Sequence, residues 1–408
     1  MTTPYRTSVR RVSIARLISL AGSEAAFIAL IAALYTRTHS TTWVSAGLLA
    51  AIGVRGLVAP LAGSLGDRLD RRHVMIGSDL GAAACFAALV FLDEPAALVA
   101  VAALASVFES PFFPASSAAI PNLVPTERLT WANATLSSSA SIGRMLGPLV
   151  GGLLVAAAGP SGAFAANGAS FLVSAALVAS VRADFRTRRA DDGAHAGLAA
   201  GFAFLVHDRT LRTMTAAWTV MLLFVGVILV AEYPLTEQFG MGSVGYGALV
   251  AGWGVGVVGG SWLAARVLRA RTEVQVLVVG TLVMGVAMGS VGVSPWFAPI
   301  VGLMVLGGLG NGLIDVAETT LVQLRTPDAV RSRVFAASET LVLGAFGVSF
   351  VAGGPLVDAV GPQPVYALGA LGAGLAALLL ATLLRVPVTA HRTPEDELVA
   401  EPQLAATR

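Results

Sequence analysis

Apolar stretches of about 20 residues, each long enough to cross roughly 30 Å of hydrocarbon as a helix, recur along this chain. They run over 13–35, 43–65, 73–92, 96–116, 132–157 and 162–181, then over 212–237, 243–265, 273–293, 296–318, 333–356 and 363–386. Polar breaks between neighbours are short except at 182–211, so the pattern predicts twelve spans in two sets of six. The long break holds an apolar helical stretch around Leu198–Val206, expected to lie in the interface and join two bundles. The predicted units are a first bundle over 1–181, a cytoplasmic central loop over 182–211, a second bundle over 212–388 and a polar tail over 389–408. The start, with Arg6, Arg10 and Arg11 before an apolar run, has the look of a leader. That run continues to Tyr35, too long for a cleaved segment, and reads as the first span.

The two sets are related. A shift of 202 residues places Pro125 on Pro327, Ala134 on Ala336, Gly151-Gly152 on Gly353-Gly354, Gly159-Pro160 on Gly361-Pro362 and Phe164 on Tyr366, without a gap. Two parallel six-helix repeats form a transporter plan in which cargo binds midway, between the halves.

Composition agrees. Of 408 residues, 56% are hydrophobic and 12% charged, half the roughly 25% of a soluble domain. So little charge excludes a cytosolic enzyme, a nucleic-acid binder and a disordered chain. All 26 cationic side chains are arginine. They gather in the amino-terminal arm and the even-numbered loops (Arg68, Arg71, Arg72; Arg128; Arg182 to Arg209; Arg266, Arg269, Arg271; Arg325, Arg331, Arg333), whereas odd loops hold only Arg37. The alternation predicts a multi-pass protein of the cell membrane with both termini in the cytoplasm. The single cysteine, Cys85, allows no disulfide framework. No HExxH, Walker-type glycine loop or Cys/His cluster is present, so no enzyme activity, metal or cofactor is expected.

The segment Gly63-Ser-Leu-Gly-Asp67-Arg68-Leu-Asp-Arg71-Arg72, followed by Asp79, resembles the loop signature of the major facilitator superfamily, in its usual place between the second and third spans. Arg144-Met-Leu-Gly147-Pro148-Leu-Val-Gly151-Gly152 in the fifth span resembles the glycine-proline motif of the drug:proton antiporter branch. Ala134 stands where that branch has a further glycine. With Pro114-Ala115, Ile120 to Pro125, Asn133 and Gln323 to Phe335, the whole chain looks like the subgroup of enterobactin-type siderophore exporters and macrolide efflux pumps. The resemblance implies an all-α fold of two pseudo-symmetric bundles, alternating access, and a latch. In the latch, Asp67 faces the positive end of the eleventh helix, near Arg331 and Arg333.

Ionisable groups inside spans mark function or static pairing, because a charge in hydrocarbon needs a partner or a wet cavity. Glu24, Arg55, Glu109 and Arg144 fall inside the first half's spans; Asp315 and Glu318, three apart on one helix face, and Glu339 fall inside the second's. Many drug:proton antiporters carry an arginine in the fourth span, where this chain has Glu109. Glu232 and Glu237 are expected at a solvated end. Glycines at 143, 147 and 151, and at 252, 256 and 260, form smooth stripes for close helix contact. The expected cavity uses spans one, four, seven and ten, with Glu24, Phe27, Glu109, Phe112, Phe224 and Asn311 lining it. Its carboxylates would favour cationic cargo. The expected activity is export of a small amphiphilic molecule by a monomer, driven by the proton gradient. Rivals are proton-coupled import on the same scaffold, and a sensor or lipid facilitator.

Overall fold

The computed structural model describes residues 4–55, 57–58, 69–125, 128–181, 198–268, 272–326 and 328–384, with side chains omitted at 4, 121, 130, 198–200, 328–333 and 336. Every regular element among these residues is helical. The first bundle comprises α1 (Pro4–Thr38), α2 (Thr41–Leu48, running into a π-helical turn Leu49–Gly53), α3 (Arg71–Leu89), α4 (Pro95–Glu109), α5 (Phe112–Leu123) and α6 (Leu129–Ala179). A linking helix, α7 (Leu198–His207), follows. The second bundle comprises α8 (Arg209–Gln238), α9 (Gly242–Val267), α10 (Glu273–Val291), α11 (Phe297–Arg325), α12 (Asp328–Val360) and α13 (Tyr366–Ala381). Among the described residues, eight helices are long and apolar enough to cross a membrane by themselves. The fourth span is α4 and α5, meeting at Pro111, and the fifth and sixth lie together in α6.

α6 shows how two spans are made from one helical stretch. At 51 residues it would reach about 77 Å if straight, far beyond a bilayer. It turns back at Gly159, whose φ of 69° and ψ of 176° lie outside the helical region. Pro160 also discourages the preceding residue from helical geometry. Gly361, 202 positions on in the repeat, has φ 86°, so the turn recurs along with the letters. Nothing lies within 4 Å of a Cβ added at Gly159; the penalty for a side chain is therefore purely conformational. Gly159→Ala and Gly361→Ala are each expected to lower stability by about 1–2 kcal/mol, read as a fall in thermal unfolding temperature in lipid nanodiscs. No change at either site would mean the turn relaxes freely.

Arginines secure one end of the first bundle. Arg11 Nη1 donates to Ser180 O at 2.6 Å, and Arg72 donates to Ala179 O, answering carbonyls that the end of α6 leaves without helical partners. The amino-terminal arm is helical too, so α1 begins nine residues before the predicted span, at Pro4. The link docks on the second bundle: Asp208 accepts from Leu211 N at 2.8 Å and pairs with Arg325 at 3.1 Å.

Inside the first bundle, a Cβ at Gly151 would stand 2.6 Å from Ala25 Cα, and one at Gly147 2.8 Å from Ala21 O. α1 and α6 therefore touch backbone to backbone. Gly256 and Gly260 of α9 press on α11 in the same way. The halves meet toward the end that carries His39. There Ser243 Oγ donates to Gly152 O at 3.2 Å and Thr41 Oγ1 to Gly354 O at 2.5 Å. Asp358 Oδ1 accepts from Thr41 N at 3.2 Å, and Tyr35 meets Tyr233 edge-on with centroids 5.7 Å apart.

Candidate functional site

On the amino-terminal side of this seam lies a cavity of about 790 Å³. α1 supplies Arg16, Ser19, Leu20 and Ser23, a position with those three, four and seven residues on and so one face. The second span supplies Ile52, within the π-helical turn, and Arg55, just beyond it. The extra residue in such a turn rotates the helix after it, a device often found at working sites. The interrupted fourth span contributes Glu109, Ser110, Phe112, Phe113 and Pro114. α6 adds Arg144 and Phe171, and α12 alone represents the other half, with Glu339, Thr340 and Leu343.

Glu109 is the centre of the polar wall. Its Oε2 accepts from Arg55 Nη2 at 3.1 Å and from Ser23 Oγ at 3.0 Å. The Arg55 side chain is 47% exposed and that of Glu109 only 12%, so the carboxylate sits behind and the guanidinium stands in the cavity. Only the carboxylate side of the pair is dry, and a proton on Glu109 would cancel the charge that Arg55 answers. Glu24 lies in electrostatic reach of Arg55, Arg144 and Glu109. A small void of about 40 Å³ behind the pair shares Ser23, Arg55 and Glu109 with the cavity and adds Phe27.

Arg16 is the feature that sequence reasoning missed. It is only 6% exposed, donates to Ser117 Oγ at 3.2 Å and lies 3.8 Å above the centre of the Phe113 ring. An arginine at the fourth position of the first span is visible in the sequence, but there it blends into the arginine-rich arm that precedes it.

Other predicted residues are elsewhere. Asp315 accepts from Asn311 Nδ2 at 3.1 Å within α11, and Glu318 borders a separate small void beside Trp218; neither lines the cavity. Phe224, expected in the lining, packs on Gly372. Glu232 is 9% exposed rather than solvated, because it faces Tyr246 and Tyr366 of neighbouring helices. Of the loop signature, Gly63, Asp67 and Arg68 lie outside the described residues, as do the side chains of Arg331 and Arg333. Arg71 donates to Ala118 O at 2.7 Å, so Arg71 and Arg72 both tie to their own half. Asp79 is fully buried, with Ser174 beside it.

A family model described as Major Facilitator Superfamily matches residues 12–337 and 228–406. Among curated proteins, the chain is 25% identical over 326 residues to the uncharacterized MFS-type transporter YfiS of Bacillus subtilis, covering 75% of this chain and 76% of the relative. It is 24% identical over 389 residues to the enterobactin exporter EntS of Escherichia coli, covering 92% of each. Among solved structures it resembles the nucleoside transporter NupG, with TM-score 0.72, 12% identity, 93% of this chain and 100% of that one. It also resembles a D-xylose–proton symporter, with TM-score 0.68, 16% identity, 92% of this chain and 97% of that one. At such identities the structures speak for the fold alone.

Proposed function

Since the chain belongs to the major facilitator superfamily, and is thus a multi-pass membrane transporter and not an enzyme, we propose that it exports a small amphiphilic organic molecule in exchange for protons. The observation that carries this reading is the Glu109–Arg55–Ser23 cluster on the wall of a cavity shared by both halves. A carboxylate that takes a proton from one side and yields it to the other, while releasing a cationic partner, couples proton entry to a change in the cavity. The likeness to an enterobactin exporter along 92% of the chain supports the outward direction.

The arginine alternation puts the even loops and both termini in the cytoplasm. The seam at His39 is then the closed outer face, and the cavity serves the inner one. The protein works in the cell membrane as a monomer, with the proton gradient as its only driving partner. Its latch uses Asp67 with the start of α12, where Arg331 and Arg333 stand, and closes the inner face when the seam parts.

The test is accumulation of dyes, macrolides, tetracyclines and siderophores in a pump-deficient host, with and without the protein and a protonophore. Accumulation of at least one cargo should fall, and the protonophore should abolish the fall. Higher accumulation would reverse the direction, and no response across the panel would remove the export reading.

A further inference from the structure

We infer that the cavity takes its cargo as an aromatic organic anion, the charged end held between Arg16 and Arg144 and the ring body against Phe112, Phe113 and Phe171; the inference rests on the export reading above and names its substrate class.

The argument is one of charges already answered and charges not. Arg55 is answered by Glu109 at 3.1 Å. Glu24 is in reach of Arg55 and Arg144. Among the described residues Arg16 has no such carboxylate: its Nη1 meets a neutral hydroxyl, its Nε is buried without a hydrogen-bond partner there, and one face is covered by a phenyl ring. The charge that acts on it is Arg144, of like sign. Two cations facing one cavity repel, and a guanidinium buried among neutral groups is costly until an anion reaches it. The planar fork of Arg16 fits an oxyanion through paired N–H donors. Glu339 enters from α12 and forms no ion pair among the described residues; it repels an anion from that wall and so confines it to the arginine side. The three phenyl rings in the same cavity prefer a flat apolar body. This reverses the cationic preference expected from the carboxylates, because of the two described ones that line the cavity the more buried, Glu109, is consumed by Arg55.

The test is equilibrium dialysis of the full-length protein in nanodiscs of zwitterionic lipid against three probes of one shape: 1-naphthoate, 1-naphthylmethylammonium and 1-naphthamide. The naphthoate should bind most tightly. Arg16→Gln and Arg144→Gln should each weaken naphthoate by about tenfold or more and leave naphthamide nearly unchanged. Arg16→Lys should recover part of the loss, since it restores charge without the fork. Arg144, on an exposed position, serves where Arg16→Gln fails to fold. Tighter binding of the ammonium probe, equal affinity for all three, or naphthoate binding unmoved by both variants would overturn the inference. Arginine-dependent naphthoate binding without proton-driven extrusion in cells would sustain the anion site and remove the export reading instead.

Discussion

Glu109→Gln is expected to cut proton-coupled extrusion to the level of the host without the protein, a loss of about hundredfold if it carries the proton. Glutamine keeps the shape and can still accept from Ser23 Oγ, now at 3.0 Å from the carboxylate, but it neither takes nor yields a proton. The fold should survive, because Arg55 is 47% exposed and can turn to water when its partner is gone; a pair of that exposure contributes about 1 kcal/mol at most. Arg55→Gln should be the more damaging for stability. It leaves the carboxylate, only 12% exposed, without its cation, and an uncompensated buried charge costs about 3–5 kcal/mol. The double variant should regain stability without regaining coupling. The decisive readout is a split. Inverted vesicles carrying Glu109→Gln should lose uptake driven by a pH gradient and keep cargo exchange at equal pH. Wild-type extrusion by this variant would sink the assignment of Glu109.

Much of the architecture was legible because the bilayer imposes it. Twelve apolar stretches and an arginine alternation are direct responses to hydrocarbon thickness and membrane orientation. The pairing of Gly159 with Gly361 was legible as a repeated dipeptide, and both glycines adopt positive φ. The site was legible only as a set of charges at depth. Glu109 and Arg55 stood out individually, yet their pairing depends on the crossing of two helices whose residues are 54 apart in sequence, and on the π-helical turn before Arg55. Glu109 and Phe112 line the cavity as expected, whereas Phe224 and Asn311 do not, for a related reason. With the halves closed at the His39 end, the cavity opens onto α12 and not onto α8 or α11, so Phe224, Asp315 and Glu318 stay among their own helices. Glu232 looked like a solvated residue because it lies near the end of the seventh span, whereas neighbours from other helices, Tyr246 and Tyr366 among them, cover it.

Neighbouring glycines in α6 should fail in opposite ways. Gly151→Val places a branched side chain where Cβ already lies 2.6 Å from Ala25 Cα and 2.7 Å from Ala25 O. Both helices belong to one half, so no step of alternating access relieves the clash. The expected cost is about 3 kcal/mol or more, the upper range for overpacking, seen as loss of folded protein. Gly152→Val instead meets Ser243 O at 2.6 Å, across the seam between the halves. Parting the seam removes that clash. The variant should therefore stay folded and favour the conformation opened at the His39 end. A penalty of about 1.4 kcal/mol on the closed state raises the open population about tenfold. Cys85 is buried, so an added Ser243→Cys reports opening through an impermeant maleimide, with labelling expected to quicken about tenfold in the Gly152→Val background. Asp358→Asn should act in the same direction more weakly, since it loosens the contact with Thr41 N at 3.2 Å without adding bulk. If Gly152→Val were as unstable as Gly151→Val and no more reactive at position 243, the contact would be permanent core and the halves would have to part elsewhere.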